Sequence, residues 1–367
     1  MQVTLCVDAL EPQLGGIGRY TWELCKGLPG RTGIDSVRYY GRSRLLSDPA
    51  ALLRGEKPRP RLPVLARFQR WHEYRKLRAG LIHGPNYFLP RFAETGIVTV
   101  HDLSVFRYPE THPAERVKAF EREFSSSLER AAHIITDTET VRNELMEAFS
   151  LRPEQVTAVW LGVDPAYAPL AEDDLRPRLA ALGLEAGHYG LCVSTLEPRK
   201  KIAQLLAAWR LLPPSVRDRT PLVLAGGKGW LNEQLHEQIA AAQAEGWLRQ
   251  LGFVEEGLLP SLYAGASLFV YPSTYEGFGL PPLEAMASGV PVLVSDRSCL
   301  PEVCGDAAEY MDPDDVTGFA SILERLLTDE TLRHSLIRNG LTRARLFSWE
   351  RCMEGTVLAY KSASRRL

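Results

Sequence analysis

No apolar run in this sequence approaches the ~20 residues that a membrane-spanning helix requires. Nor does Met1–Asp8 show the basic-then-apolar order of a secretory leader; it alternates like the start of a strand, and a cytoplasmic protein is expected. Cysteine is scarce. Cys6, Cys25, Cys192, Cys299, Cys304 and Cys352 form no C-x-x-C pair and no metal-type spacing, which argues against a disulfide framework or a zinc module and predicts reduced thiols. Excess charge is lacking too: the formal net charge is −2, so the chain has no general basic character with which to grip nucleic acid. No internal repeat or low-complexity tract is evident.

Against that near-neutral background, Arg54–Arg78 carries nine basic residues and only Glu56 and Glu73 as acids, a net of +7. Val64, Leu65, Phe68, Trp71 and Leu77 recur among them at helical spacing. That is the pattern of an interfacial amphipathic helix for an anionic membrane. A packed domain helix with a basic polar face is the alternative.

What is present is a chain of 367 residues, 45% apolar, enough for two domains that each bury a core. Its most informative stretch is Ser267–Ser295. Ser267–Tyr271 and Pro291–Ser295 read as buried strands, and Leu283–Ser288 as a helix whose start is fixed by Pro281 and Pro282. Strand, glycine loop, helix start and strand follow one another as in a parallel α/β sheet. A helix N-terminus beside Gly277 and Gly279 suits an anion. Glu276 and Glu284 flank it; ionised carboxylates only accept hydrogen bonds, so their natural partners are hydroxyls on either side of a phosphate. A nucleotide-sugar has that layout.

Other candidates sit just past strand ends, where open α/β sheets bind ligands. Leu81–Gly84 leads to Asn86 and Tyr87, candidates for an acceptor, and Ile97–Val100 leads to His101, a stronger ligand candidate whose alternative is a structural histidine hydrogen-bonded by its neighbour Asp102. Arg199 and Lys200 follow strand Gly190–Val193 and can bring positive charge to a diphosphate. Gly16 and Gly18 could let backbone approach a phosphate, a weak signal alone. Asp312 and Asp314 spell D-x-D but precede the helix Val316–Leu327, where an acid serves as a cap more readily than as a metal ligand.

The segment E-G-F-G-L-P-P-L-E, Glu276 to Glu284, resembles the E-x7-E signature of retaining glycosyltransferases of family 4. H-D-L-S-V-F-R-Y-P-E, T-L-E-P-R-K and G-G-K-G-W extend the resemblance over nearly the whole chain. It implies an α/β GT-B fold: two Rossmann-like domains facing a cleft, with a C-terminal helix that crosses back to the first. Residues 1–168 with 348–367 would form the acceptor domain and 169–347 the donor domain. Glu276 and His101 are implied for the donor sugar and Glu284 for the ribose. Arg199 and Lys200 are implied for the diphosphate, with His101, Glu276, Arg199 and Lys200 as the catalytic set. Gly277, Phe278, Gly279 and Leu280 would contact sugar and diphosphate, with Gly16, Gly18 and Gly226 also lining the donor site. Phe253 and Val254 belong to the segment that meets the nucleobase. Many members carry arginine where Thr195 stands here, which leaves that charge to Arg199.

The detail is most similar to bacterial mannosyl- or rhamnosyltransferases of surface-polysaccharide assembly. This implies GDP-mannose or GDP-rhamnose as co-substrate, no cofactor or metal, and retained anomeric configuration. It also implies a polyprenyl-diphosphate-linked glycan as acceptor, on the cytoplasmic face of the inner membrane. Competing readings are a nucleotide-sugar epimerase, a UDP-sugar-dependent transferase, and a nucleotide-sugar-binding scaffold without activity.

Overall fold

A computed structural model of the chain describes residues 1–56, 74, 77, 80–230 and 232–366. Most of the basic segment 54–78 therefore lies outside the described residues. The chain divides into two compact units, Met1–Gly162 with Trp349–Leu367, and Val163–Ser348. The break falls inside the proline- and acid-rich stretch 162–174, but that stretch is not all linker. Glu172, Asp173 and Asp174 open the helix Glu172–Ala181, where negative charge complements the helix dipole.

In the first unit the strands are β1 (Gln2–Cys6), β2 (Ser36–Gly41), β3 (Arg44–Leu46), β4 (Leu81–Gly84), β5 (Gly96–Val100), β6 (Ala131–Thr136) and β7 (Val156–Ala158). Their order is β3-β2-β1-β4-β5-β6-β7, parallel except where β3 pairs antiparallel with β2. The second unit has β8 (Gly190–Val193), β9 (Leu222–Ala225), β10 (Leu248–Gly252), β11 (Leu268–Tyr271), β12 (Val292–Ser295) and β13 (Glu309–Met311), ordered β10-β9-β8-β11-β12-β13. Both are doubly wound sheets. Strand order reverses between β1 and β4 in one and between β8 and β11 in the other, and a crevice opens at the carboxyl ends of such strands.

Strand burial explains the near-continuous apolar runs: β8, β9, β11 and β12 lie under helices, with Trp209, Leu205, Phe319 and Leu323 fully buried against them. Gly190 is obligatory in that core, because a Cβ there would meet the Trp209 ring at 2.3 Å. All six cysteines are buried and none forms a disulfide. Among the described residues no helix is long and apolar enough to cross a membrane.

The last helix, Trp349–Ser364, packs on the first sheet through Cys352, Met353, Val357 and Tyr360. A polar pin completes the joint: His83 Nδ1 lies 2.8 Å from the Tyr360 hydroxyl and Nε2 2.8 Å from Thr99 Oγ1. Burial, reinforced by nearby His101, pushes the His83 pKa down to about 3. The unfolded chain takes up a proton here near the ordinary value of about 6.5, whereas the folded chain resists it. The pin's contribution is therefore complete above that value and declines as pH falls toward the folded one, by at most ~1.4 kcal/mol per unit. Thermal unfolding between pH 7.5 and 5 should show a midpoint that drops on acidification. In His83→Gln the drop should be shallower, though not absent, since His133 is also held low, at about 4. Equal slopes in both proteins would remove His83 from the account.

Candidate active site

The second unit's switch point carries the charge. Past β8, Pro198–Lys200 forms a short 3-10 turn; past β11, the loop 272–279 runs to the helix Leu280–Ala287. The two loops are stitched together by the Thr274 N–H, which donates to the Arg199 carbonyl at 2.9 Å. Lys200 Nζ donates to Glu276 Oε1 and, at 2.9 Å, to the Tyr271 hydroxyl. Arg199 donates to the Tyr275 carbonyl and stands 3.6 Å from Glu276 Oε2. All three charged groups are at least nine-tenths buried. Burial alone would raise the Glu276 carboxyl; Lys200 and Arg199 overrule it and hold the pKa at about 2.

The helix begins at Leu280, three residues before the expected Leu283, because Pro281 and Pro282 occupy its first turn instead of preceding it. Glu284 therefore sits in the second turn, buried beside Tyr263. Burial and then the Glu284 charge keep that phenol protonated well above its ordinary range. Gly279 caps the helix at φ +102°, left-handed backbone that favours glycine. Since the two prolines have no N–H, the donors at this helix end come from Gly279 and Leu280.

Gly226, at φ +130°, permits close packing: a Cβ there would lie 2.1 Å from the Ser194 carbonyl, on the segment that leads to Arg199. Phe253, just past β10, is 55% exposed, whereas Val254 is buried. Asp312 and Asp314 are engaged by Arg297 at 2.6 and 2.8 Å, Asp314 also by Lys201 at 2.8 Å, and Asp315 caps the helix Val316–Thr328.

In the first unit, His101 follows β5 and is buried with both ring nitrogens engaged. Nε2 lies 2.8 Å from the Pro85 carbonyl and Nδ1 2.7 Å from Asp137 Oδ2. Its partner is thus Asp137, past β6, and not the adjacent Asp102, whose carboxylate accepts from the Ser104 N–H. A carbonyl can only accept, so Nε2 carries hydrogen; with a carboxylate at Nδ1 the ring is drawn toward the cation. Burial disfavours that charge, but Asp137 and the Pro85 carbonyl lift the His101 pKa above its ordinary value. Tyr87, at φ +64°, is buried edge-on to His101, and its hydroxyl accepts from the Asp102 N–H at 3.2 Å. It reaches an acceptor only if that packing opens. Asn86 instead lines a cavity of about 250 Å³ at the β1/β4 switch point, with Cys6, Asp8, Gly84, Phe88 and Arg91. Gly16 begins the helix Gly16–Gly27; Gly18 is buried, where a Cβ would meet the Ala9 carbonyl at 2.9 Å.

Two residues of the constellation escape motif reading. Asp137 lies 36 positions from its histidine, its only signal being a place past a strand end. Glu197, an acid inside T-L-E-P-R-K, accepts from Thr195 Oγ1 at 2.7 Å and Arg199 at 3.3 Å, so Thr195 joins the network that holds Arg199.

Two doubly wound sheets, the second with a cation-bearing loop set against a glycine-led helix start, define the glycosyltransferase class of GT-B architecture. The chain matches the family Glycosyltransferase Family 4 over residues 14–167 and Glycosyl transferases group 1 over residues 185–343. It is 36% identical over 380 residues to O-antigen chain mannosyltransferase B of Escherichia coli, a match that covers 98% of this chain and 100% of that protein. The chain belongs to the family 4 glycosyltransferases. Its fold is shared with sucrose-phosphate synthase of Thermosynechococcus elongatus (TM-score 0.75, 21% identity, 98% of both chains). It is shared also with Anabaena HepE solved with UDP and glucose (TM-score 0.73, 18% identity, 99% of this chain and 100% of that one).

The buried pair gives a direct test. Removing one partner of such a pair strands the other's charge, at a cost of about 3–5 kcal/mol. Lys200→Met should destabilise the protein by about 3 kcal/mol in denaturant titrations, and Lys200→Met/Glu276→Leu should recover most of it. A double variant no more stable than Lys200→Met would show that the two charges do not depend on each other.

Proposed function

We propose that this glycosyltransferase moves a mannose from a GDP-sugar to a hydroxyl of a lipid-linked glycan, with retained anomeric configuration and without a metal ion. The observation that carries the reading is the Glu276–Lys200–Arg199 cluster at the second unit's switch point. The mannose assignment is supported by similarity to the E. coli O-antigen mannosyltransferase. The chemical difficulty is negative charge growing on the departing diphosphate. Lys200, Arg199 and the amides of Gly279 and Leu280 are the groups suited to stabilise it, the kind of electrostatic effect that dominates many enzymes. Glu276, fixed as a carboxylate, accepts hydrogen bonds from sugar hydroxyls; Glu284 does the same for the ribose, and exposed Phe253 offers a face to the base. His101 can serve a sugar hydroxyl once Nε2–H leaves the Pro85 carbonyl. The Asn86 cavity, where Asp8, Arg91 and Glu123 join an apolar wall that includes Phe88, suits the acceptor sugar. The basic segment 54–78 is assigned the anionic membrane surface that presents a lipid-linked acceptor.

Thermal unfolding with GDP, UDP, ADP and TDP, each with and without EDTA, tests the donor. A nucleotide at 100 times its Kd stabilises by ~2.7 kcal/mol. GDP alone should shift the midpoint, unaffected by EDTA; a UDP shift would replace the donor, and no shift at all would overturn the reading. Glu276→Ala should lower transfer at least about 100-fold while GDP still binds. Equal losses of transfer and GDP affinity would refute its role at the sugar.

A further inference from the structure

Lys200 and Arg199 fix the charge of Glu276, and Arg199 holds the backbone before it through Thr274 and the Tyr275 carbonyl; the peptide groups of Glu276 itself are held from elsewhere. The Glu276 N–H and carbonyl are met by Ser298 and Cys299, at the turn between β12 and the helix Leu300–Cys304. Ser298 Oγ accepts from the Glu276 N–H at 3.2 Å and donates to the Glu276 carbonyl at 2.7 Å. The buried Cys299 thiol donates toward the same carbonyl at 3.1 Å and toward the Phe278 carbonyl at 3.2 Å. Leu300 closes the other end, its Cδ2 3.0 Å from where a Cβ on Gly279 would lie. Ser298 itself is held at φ +58°, a conformation that a residue with a side chain keeps only where its surroundings over-determine it. A backbone clamp thus spans the whole loop 276–279.

Resting on the reading of Glu276 as the acid at the donor sugar, we propose that Ser298 and Cys299 are positioning residues for that sugar. They fix the loop 276–279 so that its carboxylate meets the sugar hydroxyls. The need is specific to the loaded site. When a diphosphate draws Lys200 toward itself, Glu276 loses the partner that anchors its side chain, and the clamp is what keeps the loop in place. Neither clamp residue is charged, so neither adds attraction for the diphosphate. Their signature is a separation between nucleoside diphosphate and nucleotide-sugar.

The test measures GDP and GDP-mannose affinity by titration calorimetry, with UDP and UDP-glucose as a second pair, alongside kcat and thermal midpoints. Ser298→Gly deletes the hydroxyl and relieves the left-handed backbone, Cys299→Ala deletes the thiol, and Cys299→Ser restores a donor. In the first two, nucleotide-sugar affinity should weaken about five- to tenfold and kcat should fall, with nucleoside diphosphate affinity within about twofold of wild type; Cys299→Ser should regain most of the loss. Parallel loss of both affinities together with the thermal midpoint would make the turn merely structural and overturn the proposal, as would no change in either. A wild-type protein that binds none of the four probes would instead fail the reading of the site itself, before any variant is compared.

Discussion

Everything at the second unit's switch point depends on keeping a carboxylate ionised out of water. Burial drives the Glu276 proton on; Lys200 and Arg199 drive it off and prevail. Such an arrangement is a poor investment in stability, since a buried ion pair often does no better than apolar side chains of similar volume. Its value is chemical. On the proposed reading, a group charged at every physiological pH, with a lysine and an arginine at hand, meets hydroxyls on one side and phosphate oxygens on the other.

Sheet order explains why these residues meet. Lys200 and Glu276 are 76 positions apart, yet each stands just past the end of a strand, and β8 and β11 are neighbours where the winding reverses. The first unit repeats the plan: β1 and β4 are neighbours at its reversal, and the Asn86 cavity opens there. The polar pins differ in kind. His83, between two hydroxyls, stays neutral and joins the last helix to the sheet, whereas His101, between a carbonyl and a carboxylate, is drawn toward the cation. Two histidines at adjacent strands are thus shifted in opposite directions, His83 down by burial and His101 up, against burial, by Asp137 and the Pro85 carbonyl.

Much of this was legible because strands buried on both faces leave apolar runs, and because Glu276, Glu284, Arg199 and Lys200 fall in short motifs. The parallel sheets, the order of elements and the membership in a GT-B family followed from that. What escaped follows two rules. Contacts across the sheet, such as Asp137 on His101 or Ser298 on Glu276, leave no local trace, because only tertiary folding sets their register. One helix start was misplaced because prolines occupied its first turn. Leu280 begins its helix earlier than composition suggested, because a helix tolerates proline where its N–H groups are unpaired anyway. The edge strand β3, three residues long and antiparallel, was too short to carry a periodic signal.

The charge balance of the site also bears on what a ligand must bring. Its two cations already face two buried carboxylates, Glu197 and Glu276. A diphosphate that enters alone adds negative charge without giving those carboxylates a donor, so part of its attraction to Lys200 and Arg199 is cancelled by repulsion. A diphosphate that arrives with a sugar supplies hydroxyl donors for Glu276 in the same event, and the cancellation is relieved. On the proposed reading, the pairing therefore favours the intact nucleotide-sugar over the nucleoside diphosphate that remains after transfer. On that reading a buried acid between the two cations weakens the hold on the product, and product release is often the slow step in well-evolved enzymes.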